Sequence, residues 1–245
     1  MGLNLRGSVL SVFLALACRA KRPEPVVAFD RSQFFPYTDT LTRRFTGGSD
    51  TVVFQLHVTA DSVLGTIDTF RHDSLSQHVV VTFDMHSLRP VRVSAFDQQE
   101  IVDLAYSADS VRGKRIVWNP AGTQDTSAVI FGIDSVTVDR RSLLIITPWL
   151  PLAPGRVFAI SVFDSWTKSV VPVRIAVGHE SRITVPSGTF RAYRLDVTAP
   201  RPTGRSAFGL FPTIVYVSVD SPRVLLRFDR PRQNAITELI SRRSP

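Results

Sequence analysis

Histidines, cysteines and paired acids do most side-chain chemistry, and this chain holds few of them in useful spacing. The five histidines are His57, His72, His78, His86 and His179. Gly178-His179-Glu180-Ser181 opens like a zinc-protease helix, but the second histidine that would complete the metal-binding face is absent. His72 beside Asp73, and His86 two residues after Asp84, would form a metal pair only if neighbouring strands aligned them. A metal site needs three or four converging ligands, so these histidines read as scattered surface residues. The aspartates are spread over every turn, and nothing singles out two for acid–base work on a glycoside. The nucleophile elbow, the phosphate-binding loop and the dinucleotide fingerprint are all missing. No catalytic residue, metal or cofactor is assigned, and the chain is expected not to be an enzyme. Trp118, Trp149, Leu150 and Trp166 are the weak candidates for lining an apolar binding site. In a β domain such aromatics equally serve as core.

Cys18 is the one cysteine, so the folded part has no intrachain disulfide. It ends a short apolar run, Val9 to Leu16, preceded by Arg6. The run is too short to span a bilayer, which needs about 20 apolar residues, and it fits an export signal. Ala15-Leu16-Ala17-Cys18 resembles the lipobox of bacterial lipoproteins, in which cleavage precedes a cysteine that is then acylated. Ala15 stands where leucine is commonest. The alternative is a chance cysteine inside an ordinary signal peptide cut at Ala17 or Ala20. The expected division is a signal peptide at 1–17, a lipidated cysteine and charged, proline-bearing tether at 18–30, and one β domain at 31–245. Acyl chains would anchor the protein to the cell envelope, facing the periplasm.

The elements that must carry any site are strands. The chain has 31 valines against 4 glutamates, 3 lysines and 2 methionines. Valine is stiff at χ1 and suits a pleated surface, whereas the helix-filling residues are nearly missing. Sixteen prolines and 13 glycines supply turns. With 44% hydrophobic residues the chain is neither disordered nor fibrous. The net charge is +8, carried by 26 arginines, but no arginine run exceeds two. Many alternate with apolar residues, as in Arg89-Pro90-Val91-Arg92-Val93, which is the wet face of a sheet and not a phosphate track. Nucleic acid is therefore not expected as a partner, and an anionic membrane surface is the more natural use of the charge. The pairs Arg43-Arg44, Arg140-Arg141 and Arg242-Arg243 read as solvated loop ends or lipid-phosphate contacts.

Strand composition is strong at 51–58, 77–83, 91–96, 115–118, 156–163, 170–177, 191–197, 213–219 and 223–228. Alternation of period two predicts one buried and one wet face. Three copies of Asp-Ser-Val, starting at Asp61, Asp109 and Asp134, read as turns opening into strands. The apolar block Leu143 to Leu152 is either a buried strand or a short helix plugging the open side of a sheet, and a candidate lid.

Late in the chain, Ile183-Thr184-Val185-Pro186-Ser187-Gly188-Thr189-Phe190 precedes Arg191-Ala192-Tyr193-Arg194-Leu195, then Tyr216 to Arg223 and Ile236-Thr237-Glu238-Leu239. Upstream stand Ser87-Leu88-Arg89-Pro90 and Trp149 to Gly155. This order resembles the exported bacterial family called domain of unknown function 3108, over roughly residues 50 to 241. Ser187 replaces the family's usual alanine, and Tyr216 its common tryptophan. The resemblance implies a secreted, curved antiparallel sheet like the half-barrel of lipoprotein carriers, and no catalytic residues. Independently of the family, Pro186 and Gly188 make a turn that joins two strands as a structural hairpin, with Phe190 following.

The expected architecture is mostly β: a single curved antiparallel sheet or half-barrel with at most one or two short helices. The expected function is binding of a lipid or other hydrophobic ligand in the concave face. The alternative is an assembly protein with a packed core that docks another envelope protein, and a cryptic hydrolase is the third reading.

Overall fold

The computed structural model describes residues 24–25, 29–97, 99–119, 122–134, 137–199 and 212–244. The expected signal segment, Cys18, most of the tether and the Ser135-Val136 of the third Asp-Ser-Val copy lie outside these residues.

The chain folds into strands joined mostly by short turns. β1 (Glu24–Pro25) and a 3₁₀ turn at Arg31–Gln33 precede a first meander. That meander is β2 (Tyr37–Phe45), β3 (Gly48–Val58), β4 (Ser62–Arg71), β5 (Ser74–Asp84), β6 (Pro90–Phe96), β7 (Glu100–Tyr106), β8 (Ser110–Trp118) and β9 (Gln124–Gly132). β10 (Val138–Asp139) leads into α1 (Leu143–Ile146) and a 3₁₀ turn at Thr147–Trp149. The second meander is β11 (Val157–Asp164), β12 (Ser169–Val185), β13 (Gly188–Thr198), β14 (Thr213–Ser218), β15 (Leu225–Arg230) and β16 (Ala235–Arg243). All nine stretches of strong strand composition are strands. So are β2, β4, β7, β9 and β16, which were not singled out.

The two meanders form one sheet because β16 pairs antiparallel with β2, from Ile236 opposite Arg44 to Arg243 opposite Thr38. The order runs β1-β11-β12-β13-β14-β15-β16-β2 and on through consecutive strands to β9. β1 and β10 are two-residue strands lying parallel on the same edge of β11. Part of the segment expected as a tether is thus laid against the sheet.

Alternation places one face inward. In β5, Val79, Val81 and Phe83 are buried while their neighbours Val80 and Thr82 are not. In β3 the buried set is Asp50, Val52, Phe54 and Leu56. The β12–β13 hairpin turns at Pro186-Ser187, with Gly188 at φ +139°, a conformation that favours glycine. β4 and β5 turn tightly through His72 and Asp73, both at positive φ.

The sheet curls until its ends meet through side chains. Phe131 of β9 lies 5.5 Å, centroid to centroid, from Phe163 of β11. Lys168, in the β11–β12 turn, donates to the carbonyl of Ala128 in β9. Tyr106 of β7 donates to Asp139 of β10 at 2.7 Å. The apolar block Leu143 to Leu152 is a helical plug inside the curl. Trp149 packs edge-on against Phe34 at 4.8 Å and Phe83 at 5.1 Å. Gly65 makes room for it: a Cβ there would sit 3.0 Å from Ile145 Cδ1. Among the described residues no helix is long and apolar enough to cross a membrane.

Candidate ligand-binding cavity

The plug fills part of the curl. The rest holds a cavity of about 640 Å³, within the range of roughly 300–1,000 Å³ typical of small-molecule sites. Its walls come from both meanders: Val52 and Phe54 of β3, Ile67 of β4 and Val79 of β5, then Val197 of β13, Val215 of β14 and Phe228 of β15. Leu143 and Leu144 of the plug and Thr147 add to the lining. The apolar block is therefore an internal wall and not a cover over the mouth.

The four aromatic and aliphatic candidates separate. Trp166, at 36% exposure, lines the cavity. Trp149 and Leu150 are buried in the plug. Trp118 ends β8, where its backbone N–H meets the Gln99 carbonyl, and it does not line the cavity. Pro186, Gly188 and Phe190 form the hairpin at the far end of β12 and β13, away from the cavity lining.

The polar part of the wall was not foreseen. Glu100 is buried and receives Arg115 at 2.7 Å and Arg140 at 2.6 Å, together with Arg141. Arg141 also reaches Asp139 at 3.4 Å, and Arg140 lies 3.3 Å from Asp164. Three guanidinium groups thus meet three carboxylates. Burial alone would raise the Glu100 carboxyl, but Arg141, Arg140 and Arg115 more than offset this and hold it below its ordinary 4.5. Trp166 covers the group from one side, with the Arg115 guanidinium 3.8 Å above its ring.

A second charged group is built from β2, β3, β4 and β15. Asp50, buried in β3, takes both Arg43 of β2 and Arg71 of β4. Burial pushes the Asp50 carboxyl up, and hydrogen bonds from Arg71 and Arg43 pull it further down, to a net position below the usual range. Arg43 and Arg230 both line the cavity. Arg230 lies 5.0 Å over the Phe228 ring, with no carboxylate at ion-pair distance among the described residues. Burial, and then repulsion from Arg43, lower it to about 10, so it stays a cation at neutral pH.

Most members of the arginine pairs are thus not solvated loop ends, although Arg243 is exposed at the end of β16 and the Arg44 side chain is 60% exposed. Arg140 and Arg141 belong to the buried network, Arg44 pairs with Glu238, and Arg242 binds Asp39 at 2.6 Å over the Tyr37 ring. For Arg43, Arg44 and Arg242 the carboxylates stand on adjacent strands, a pairing that needs the register and not the local sequence, whereas Arg140 and Arg141 reach Glu100 at the start of β7. The histidines stay apart, and among the described residues no group of His, Cys, Asp and Glu is arranged to hold a metal. His78 pairs with Asp68 across β4 and β5.

A curled antiparallel sheet around a partly plugged lumen is a barrel-like fold. The family described as "Protein of unknown function (DUF3108)" matches residues 40–234, and the chain belongs to that family. Its curved β architecture agrees with what the late hairpin and the Leu88-Arg89-Pro90 step imply. A β-barrel-like protein of domain of unknown function DUF1849 from Brucella abortus is similar in structure. Its TM-score is 0.55 at 9% identity, over 89% of this chain and all of that one, a likeness of fold alone. A chain in the MucA/MucB complex of Pseudomonas aeruginosa aligns at TM-score 0.22 and 12% identity, over 87% of this chain and 95% of that one, too low to bear on fold or partner. No curated protein matches the sequence.

Proposed function

We propose that this chain is an exported envelope protein, anchored through an acylated Cys18 on the periplasmic side. In this reading it binds a lipid or other hydrophobic ligand in the lumen of its sheet without catalysing a reaction. The observation that carries the reading is the cavity of about 640 Å³ whose apolar walls come from both meanders. Phe54, Val79, Val215 and Phe228 give this void an apolar surface for a hydrocarbon group, beside polar residues such as Arg43, Gln77 and Arg230. The signal-like run ahead of Cys18 supports the location.

The experiment expresses the intact chain with its own leader in a bacterial host, beside Cys18→Ala and Ile67→Trp variants. The expected result is saturable, one-to-one binding of the neutral fluorophore N-phenyl-1-naphthylamine, weakened by the indole of Ile67→Trp, and a lipid recovered from the solvent extract. Cys18→Ala should abolish labelling by palmitate and leave the membrane fraction. No saturable fluorophore signal and a lipid-free extract would sink the binding reading. Palmitate labelling unchanged in Cys18→Ala would sink the anchor.

The second reading, docking of another envelope protein, is favoured by one feature. β9 is an end strand of the sheet with Ile130 75% exposed, and such an edge accepts a strand from a partner.

A further inference from the structure

We propose that the occupant of the lumen is an acyl-chain amphiphile with an anionic headgroup, its chain along Phe54, Val79 and Val215 and its headgroup held by Arg230 with Arg43 beside it. This rests on the hydrophobic-ligand reading and specifies the ligand's chemistry.

The argument is one of charge. Around Glu100, three arginines are matched by three carboxylates, so that group is balanced in charge, although Arg115 and Arg140 each keep one buried nitrogen without a hydrogen-bond partner. Around Asp50 the balance differs. Arg43 and Arg71 share the single Asp50 carboxylate, and Arg230 stands near Arg43 without an acid of its own among the described residues. The cluster holds two positive charges in excess. Asp97, the other carboxylate on the cavity wall, accepts from the backbone N–H groups of Gln99 and Glu100. Arg230 is held against the Phe228 ring at 5.0 Å, at the edge of an apolar surface.

A guanidinium kept at an apolar wall without an anion is costly. A carboxylate or phosphate entering with the ligand supplies the missing acceptor, and the planar fork of arginine suits either. The apolar walls then require that the same molecule bring a hydrocarbon chain. A neutral ligand would fill the walls and leave Arg230 unmatched.

The test uses the intact exported protein and two fluorescent probes differing only in charge, cis-parinaric acid and its methyl ester. The acid should bind at least about tenfold tighter than the ester, the scale of one charge-assisted hydrogen bond. Arg230→Gln should bring the acid down to the ester without weakening the ester, and Arg230→Lys should retain a preference for the acid. Displacement of bound acid by oleate or by oleoyl lysophosphatidate, but not by monoolein, is expected, and the stronger competitor identifies the headgroup. Equal affinity for acid and ester in the unaltered protein overturns this inference while leaving the hydrophobic-ligand reading in place. So does a preference that persists in folded Arg230→Gln. Binding of neither probe overturns both.

Discussion

Glu100 shows how much of the interior depends on single residues. It stands at the start of β7, and its carboxylate faces three guanidinium groups that converge from β8 and from the segment after β10. Removing one partner of a buried ion pair leaves uncompensated charge, which costs about 3–5 kcal/mol. Glu100→Gln should therefore lower stability by that amount at neutral pH, measured by urea unfolding. The sign with pH follows from the depressed Glu100 and Asp50 carboxyls. Each contributes stability above its unfolded pKa and loses it as pH falls through the lower folded one. Asp39 acts oppositely, because burial raises its carboxyl more than Arg242 lowers it. The unaltered protein should lose stability below about pH 4.5 and Glu100→Gln should lose less over the same range. Parallel pH profiles would show that Glu100 is not the group responsible. Nothing at Glu100 announces this role, since its three partners lie 15, 40 and 41 residues away.

At the scale of elements, strands with regular apolar alternation were legible, and so were the late hairpin and the turns at Asp61 and Asp109. The strands not foreseen carry a weaker local signal. β9 buries only Val129, and β2 mixes threonines with arginines whose carboxylate partners, Asp50 and Glu238, are supplied by β3 and β16. β4 carries a glycine in mid-strand, ordinarily a mark of weakness. Gly65 is there because the plug comes so close. The apolar block was readable as buried, but its helical form was not, since a short apolar run fits strand and helix alike. Its close approach yields a prediction. Gly65→Val would drive a branched side chain into Ile145, with a Cβ already 3.0 Å from its Cδ1. The expected cost is about 1–3 kcal/mol, read as a lowered melting temperature. Ile145→Ala in the same chain should recover part of it. A neutral Gly65→Val would mean that the plug is not seated against β4.

For the whole molecule, what decides behaviour is that the curl is closed by side chains and not by a continuous backbone ladder. Every strand from β12 through β16 and β2 to β8 has two neighbours, whereas β9 pairs only with β8 and β11 carries beyond β12 only the two-residue β1 and β10. Across the seam stand the Phe131–Phe163 contact, the Lys168 hydrogen bond to Ala128 and the Tyr106 hydroxyl on Asp139. Backbone hydrogen bonds along β3 and β4 break only when the sheet opens as a whole, but the seam has a shorter route to opening. The seam is also where Trp166 and the Glu100 network adjoin the cavity, so its opening would widen the way to the lumen. Tyr106→Phe removes the donor from a fully buried Asp139, a loss of about 1–3 kcal/mol. The expected result in amide hydrogen exchange is fast exchange in β9, faster still in Tyr106→Phe, with β3 and β4 protected alike in both proteins. Binding of N-phenyl-1-naphthylamine should equilibrate more quickly in the variant while its final affinity changes little, because the cavity walls are untouched. If β9 were protected as strongly as β3, or if Tyr106→Phe accelerated exchange uniformly, the seam would not be a separate opening unit and ligand would have to enter another way.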